Sequence, residues 1–486
     1  MNKTKKRTRL PIWKKAVITV LLTASVVPAW TASASEATDK VQLVLEILAE
    51  NHVGGASEDV LSQSAIKAMV ESLNDPYTEY MDKSQWGQFV NGITRSYVGV
   101  GIQISKAEDG IYIERVFAGT PAEGAGLKQD DKIVKVNDTA ITEQTADELV
   151  ALILGEEGTP VSITVQRGSE QLAKSMSRKA VSLPVLESAY LKGGVGYLKV
   201  HSFSEDADEQ FIAKLAEMKA KSDFRSLVVD LRDNPGGLLD TAGNIAGQFI
   251  KDNVLIHTKT NKGADNPVSI VGGTALDVPV YVLVNGNSAS ASEVLAGALQ
   301  DYEAAVIIGT QTYGKGSVQN VYSLTDGSML KVTIEEYFTP KGHPVNKVGI
   351  TPDLTVEGSL NQLLTGLRAA GATDLEVAKN RSIVSVNGLQ VNDVLPLLEE
   401  DGRLWIHSRV LAALIGAEVE WLDAEEAVQI GVKDAAAKAV FSPSAGNARL
   451  EQELLFIDVS AFAEKFPQLT VEGNETKLKL HAVPEK

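Results

Sequence analysis

The chain has 486 residues, with 44% apolar and 22% charged content, enough for about three globular domains. It contains no cysteine, which removes disulfides, thiolate metal sites and cysteine catalysis together. Its formal net charge is −17, and so acidic a surface repels phosphate backbones, so nucleic acid is not an expected partner.

The N-terminus begins with a basic stretch, MNKTKKRTRLPIWKK, followed by the apolar run Ala16–Val27 and the small-residue segment Ala32-Ser33-Ala34. Charged, apolar and small residues in that order predict a signal peptide over residues 1–34, cut before Ser35. The apolar run is short for a transmembrane helix, which needs about 20 residues; an uncleaved membrane anchor is the alternative. Both readings imply export, to the medium or the cell envelope. Cleavage removes five lysines and two arginines and takes the net charge from −17 to −24.

Residues 35–92 read as helical, with apolar residues three and four apart in VQLVLEILAE and LSQSAIKAMVESL. Residues 93–178 change to short β-rich segments with one helix-like stretch, ADELVALIL. Residues 179–360 alternate strands with helices, the pattern of a parallel sheet with right-handed crossovers. LNQLLTGLRAAGA reads as a linker helix within 361–380, and a separate small α+β unit is expected over 381–486.

Three strands of the α/β region end in unusual loops. SLVVDLR runs into DNPGG, VPVYVLVNG into NSASASE, and AAVIIG into TQTYGKGSVQ. Parallel strands would deliver all three loops to the edge where α/β sheets bind ligands. A serine there is a weak nucleophile until a base takes its proton. A lysine is such a base only when neutral, and burial lowers its reference pKa of about 10.4; activity would then rise with pH. Lys315 sits between Gly314 and Gly316. A helix starting after the serines offers free N–H groups to an oxyanion, and Pro235-Gly236-Gly237 offers a second amide. Each motif alone reads as a helix cap, a turn or a loop lysine. Their placement on successive strands carries the catalytic reading, and the residues alone leave Ser288, Ser290 and Ser292 all open.

Here the chain resembles the carboxyl-terminal processing (tail-specific) peptidases, which use a serine–lysine dyad. The resemblance covers residues 40–360 and rests on DLRDNPGG, SASASEVLAGALQD, GTQTYGKGSVQ and YFTPKGHPVNKVGITPD. In that family the base lysine lies 25 residues after the nucleophile, which pairs Lys315 with Ser290. The resemblance further implies that Gln319 orients Lys315, and that the amides of Ala291 and of Gly236 or Gly237 hold the oxyanion. Asp301 matches an acidic residue of some members and is read as structural. The implied fold is a crotonase-like α/β peptidase core with a helical N-terminal region, an inserted PDZ domain and a small C-terminal α+β domain. No metal or organic cofactor is implied.

The β-rich insert resembles a PDZ domain through GTPAEGAGLKQDDKIVKVND and the loop YVGVGI. Such domains add an extended peptide to a sheet edge and hold its terminal carboxylate in a backbone nest. The loop residues are Tyr97, Val98, Gly99, Val100 and Gly101. The resemblance implies an exported serine endopeptidase, acting through an acyl-enzyme on proteins or peptides with exposed, apolar C-termini. Leu154 departs from the family, where many members carry arginine, which puts the coupling of peptide binding to activation in doubt.

Competing patterns are weaker. None of the six histidines lies in the Ser290 or Lys315 loops, Ser64–Lys67 fits a serine-x-x-lysine pattern only within an amphipathic helix, and neither zinc spacing nor a P-loop is present. A PDZ-bearing scaffold with an inactive core is the reading from another class. The final segment, with Gly402-Arg403 and Trp421, resembles the stalk-like domain at the N-terminus of some copper amine oxidases, with a partial second copy from LLFIDVSAFAEKF. It is expected to attach the enzyme to the cell envelope, or to act as a spacer or a homo-oligomer contact.

Overall fold

The computed structural model describes residues 36–107, 109–432 and 438–483. The expected signal peptide lies outside the described residues. No described helix is long and apolar enough to cross a membrane.

The chain divides into two units. The first takes in the N-terminal segment to Lys83 together with residues 319–334. It holds helices Glu36–Asn51 and Glu58–Glu71 and the short strand Glu79–Met81. Ser57 caps the second helix by accepting the Val60 amide. Residues 79–81 pair antiparallel with 329–331, and Thr333 donates its amide to Thr78 Oγ1 at 3.0 Å.

The second unit holds the rest. Its centre is a six-stranded sheet in the order Leu186–Leu191, Val195–Val200, Ser226–Asp230, Val280–Val284, Val306–Gly309 and Leu354–Thr355. The first two strands form a hairpin and every other pairing is parallel. Residues alternate between the two faces of a strand, so both faces can be assigned. Gly196 lies on one face, where an added Cβ would meet Met218 of helix Ala207–Lys219 at 2.7 Å. On the other, Tyr197, Val228, Leu283 and Ile308 are buried against Leu363, Leu364 and Leu367 of helix Ser359–Ala369.

That second face revises the expected end of the core. The helix read as a linker is a buried layer of the fold. The segment beyond residue 380 is not a separate unit either: Val377, Val386, Leu411, Phe462 and Leu480 belong to the same apolar core as Tyr197 and Leu283. Strand Leu375–Asn380 already pairs with Lys477–Ala482 near the C-terminus. Within this region two strand–helix–strand copies face each other. Arg403–His407 leads into helix Ser408–Ile415, and Leu454–Asp458 into helix Val459–Lys465. The two strands pair antiparallel, Trp405 opposite Asp458. Asp458 caps its own helix through the Ser460 amide and holds Arg403 at 2.6 Å, which gives the Gly402-Arg403 turn its purpose.

The β-rich insert is a six-stranded antiparallel sheet around its own core of Val100, Ile113, Leu149 and Ile163. Its helix Ala146–Ile153 opens with a reciprocal cap between Thr145 and Glu148. It ends on Arg178, which donates to the carbonyls of Leu152 and Ile153. Strand Ile102–Ala107 is the edge of this sheet.

Candidate active site

The parallel strands bring three loops to one edge. The first follows Ser226–Asp230, whose five residues are all buried. Asp230 is locked there by Arg232 at 2.6–2.9 Å and by the Tyr197 hydroxyl at 2.7 Å. Burial pushes its carboxyl up, but the adjacent guanidinium outweighs that and holds it well below the usual range. The loop then turns through Gly236 (φ 106°) and Gly237 (φ 145°). A Cβ on Gly236 would sit 2.8 Å from Ser290 Cβ and 2.9 Å from the Ala291 amide, and one on Gly237 would strike the Phe203 carbonyl at 2.4 Å. Glycine is needed here because the loop presses directly on Ser290.

The second loop follows Val280–Val284 and ends at Ser290, which precedes helix Ala291–Asp301 with φ 55° and ψ −115°. A non-glycine residue in that region stores of order 1–3 kcal/mol of strain and persists only where its surroundings fix it. They do so here. Ala289 donates its amide to the Asn234 carbonyl. The Ser288 hydroxyl donates to the Leu231 carbonyl at 2.8 Å and the Ser292 hydroxyl to the Asn234 carbonyl at 2.9 Å. Both outer serines are fully buried, whereas Ser290 keeps 9% of its surface exposed. The three serines thus differ in a way their spacing could not reveal.

The third loop follows Val306–Gly309 and carries Lys315, which is half-buried. Gly314 (φ 88°) and Gly316 let it double back beside residues 345–349; a Cβ on Gly316 would lie 2.0 Å from the Asn346 amide. The residue that joins the second and third loops is Glu293. Its fully buried carboxylate accepts the Ser290 amide at 2.9 Å, the Thr312 hydroxyl at 2.6 Å, the Gly314 amide at 2.7 Å and the Lys315 amide at 2.8 Å. The buried Tyr337 hydroxyl adds a second tie, lying 3.1 Å from the Ser290 carbonyl and 2.8 Å from the Lys315 carbonyl. The acid after the serines was visible in the sequence. Its partners in the third loop were not, because they lie 19 to 22 residues away.

Two amides remain available beside Ser290. Those of Gly237 and Ala291 have no hydrogen-bond acceptor among the described residues. The Gly236 amide, by contrast, already donates to Asn234 Oδ1 at 2.9 Å, so of the two expected glycines only Gly237 offers a free donor. Asp301 lies at the far end of the helix from Ser290 and accepts the Lys341 amide at 2.7 Å, a structural role. Gln319 belongs to the other unit. None of the six histidines hydrogen-bonds to Ser290; His201 and His257, for instance, pair with Glu187 and Asp265.

In the insert, Ser96–Gly99 pairs with Lys179–Ser182, and the chain turns through Val100 and Gly101 (φ 85°) into the edge strand. Val100 is buried and its carbonyl accepts the Ala122 amide. The Tyr97 ring and Leu154 cover Gly99, where a Cβ would lie 2.7 Å from the ring and 3.3 Å from Leu154. Burial pushes the Tyr97 phenol up, against a hydrogen bond from the Gly101 backbone. A cavity of about 750 Å³ runs from this loop, past Ile153 and His201, to Asp233, three residues before Gly236.

These features define an α/β peptidase core with an inserted PDZ domain. The family model of peptidase family S41 matches residues 194–356, that of the PDZ domain residues 98–176, and that of the activating protease CtpB N-terminal domain residues 23–85. The "Probable CtpA-like serine protease" of Staphylococcus aureus is 39% identical over 324 residues, 66% of this chain and 64% of the relative. Its Staphylococcus epidermidis counterpart is 36% identical over 65% of each chain. This chain therefore spans slightly less than two thirds of the length of the curated relatives it matches. The solved photosystem II D1 C-terminal processing protease is 28% identical over 66% of this chain and 87% of its own, with a TM-score of 0.41. On the sequence matches, residues 194–356 are similar to peptidase family S41. The likeness of residues 23–85 to a CtpB N-terminal domain is one that their apolar periodicity alone did not reveal.

Proposed function

We propose that the protein is an exported serine endopeptidase of the C-terminal processing type. One observation supports this most: a strained, partly exposed Ser290 and the Lys315 loop are tied to one buried carboxylate, that of Glu293. Neutral Lys315 takes the Ser290 hydroxyl proton as Oγ attacks the scissile carbonyl carbon. The amides of Ala291 and Gly237 hold the oxyanion, with Gly236 shaping the loop. The tetrahedral intermediate collapses to an acyl-enzyme, the C–N bond breaks, and the amine leaves with the proton from Lys315. Water then attacks the ester, releases the acid and restores Ser290. Gln319 orients Lys315, as the family resemblance implies.

Substrates are proteins or peptides with exposed, apolar C-termini, gripped by the loop Tyr97–Gly101. Export rests on the signal peptide at residues 1–34. Within the first unit, Val41, Val44 and Ile47 form an exposed apolar row on helix Glu36–Asn51, which suits contact with a second copy. Attachment of the C-terminal region to the cell envelope completes the reading.

The test compares residues 35–486 with the Ser290→Ala and Lys315→Ala variants on an unstructured protein with an apolar C-terminus, following products by mass spectrometry across pH. Cleavage that rises with pH and disappears in both variants is expected. Cleavage surviving Ser290→Ala overturns the assignment.

A further inference from the structure

The cavity that begins at the PDZ loop is lined by the core at Leu183, Glu187, Lys199 and His201 and by three further walls, the third of which comes from the C-terminal region. The first is the edge strand Ile102–Ala107, and the second is helix Ala146–Ile153 with Leu154. The third is the hairpin Ile383–Val386 and Leu389–Val391, where Ile383 and Gln390 line the same space. The hairpin is anchored to the PDZ domain. Asn380 and Arg381 donate to Asp130 at 3.0 and 3.1 Å, and the Arg381 guanidinium lies 4.3 Å from the centre of the Tyr112 ring. Asp130 sits at φ 66° in the turn before Lys132–Val136, so a fixed bend presents it.

We propose that Ile383 and Gln390 are specificity-determining residues that read the substrate chain upstream of its captured terminus. This rests on the reading of the PDZ loop as a C-terminus binder. A peptide added to the edge strand sends successive side chains to opposite faces. One row meets Val150, Ile153 and Leu154. The alternate row lies toward the hairpin. The lining residues the hairpin contributes, Ser382, Ile383, Gln390, Val391 and Asn392, carry no charge, so a charged side chain in that row loses water without gaining a partner there. The favoured tail is apolar in one row and uncharged in the other. The cavity's continuation to Asp233 gives that chain a path toward Ser290.

The test uses the full chain with Ser290→Ala, so that bound peptides are not cut. Fluorescent decapeptides ending in apolar residues are compared, with Ala, Glu or Lys in the alternate row, alongside a tripeptide that fills only the loop. Ile383→Asp is expected to weaken the Ala decapeptide about tenfold and leave the tripeptide unchanged. Gln390→Lys, a surface change that spares the core, is expected to shift preference about fivefold toward the Glu over the Lys peptide. Unchanged decapeptide affinities in both variants overturn the proposal while leaving the PDZ reading standing. Failure of every peptide to bind the unaltered hairpin overturns both.

Discussion

A single carboxylate oxygen, Glu293 Oε2, accepts the backbone amides of both Ser290 and Lys315, at 2.9 and 2.8 Å. The Ser290 loop and the Lys315 loop are therefore tied to each other through one buried carboxylate, with Tyr337 as a second tie. Glu293→Ala would leave three buried amides without an acceptor, at about 1–3 kcal/mol each. We expect a stability loss of at least about 3 kcal/mol, seen in urea unfolding. A shift of about 1 Å between the loops would also lower kcat/KM by about a hundredfold or more. Glu293→Gln, which keeps the shape and one acceptor, should fall between. An alanine variant as stable and active as the parent would remove Glu293 from this role.

Ser290 holds a backbone conformation that favours glycine. Ser290→Gly should abolish cleavage and yet be more stable than Ser290→Ala by about 1 kcal/mol or more, since the strain adds to the ordinary preference for glycine over alanine at a helix N-cap. Ser288→Ala loses two hydrogen bonds, to the Leu231 carbonyl and from the Asn285 amide, and Ser292→Ala loses one, at about 1 kcal/mol each; both variants should retain activity. Thermal melts of the four variants beside their cleavage rates decide this. An alanine variant at 290 that outlasts the glycine variant would contradict the strain argument.

Acid should loosen the seat of the PDZ domain on the core. Glu187 receives His201 at 3.4 Å and Arg115 of the PDZ domain at 2.9 Å. The His201 hydrogen bond first, then Arg115, hold its carboxyl down to about 2 against the opposing effect of burial. Burial pulls His201 below its ordinary value, so at neutral pH the imidazole is neutral and Arg115 supplies the charge. The folded pKa is depressed, so the stabilisation is fully present above the ordinary value of 4.5 and is lost as pH falls toward about 2. Glu187→Gln should cost about 1 kcal/mol at pH 7, discounted for partial exposure. That gap should narrow below pH 4.5 and be largely gone by about pH 2. A gap that persists in acid would show that the contact is not electrostatic.

Much of the site was legible because strand patterning is local. SLVVDLR, VPVYVLVNG and AAVIIGT each announce a buried parallel strand, and their order predicts that the three loops share one sheet edge. What stayed hidden depends on distant chain. Ser288 and Ser292 are engaged by carbonyls at Leu231 and Asn234, more than fifty residues earlier. The Gly236 amide is engaged by a side chain two residues away, a contact that needs the loop's fold to exist. The helix Ser359–Ala369 looked like a linker because its apolar stripe is short; only the sheet on one side and the C-terminal strands on the other explain its burial.

The common core of the sheet and the C-terminal strands bears on how far the chain can be shortened. Ending the chain where the S41 match ends, at residue 356, would unroof Tyr197, Val228, Leu283 and Ile308. The fragment would keep every proposed catalytic residue and expose an apolar floor that invites aggregation. The tail is thus no detachable handle. If the proposed peptidase activity holds, a self-inflicted cut that severed it would amount to a way of switching that activity off.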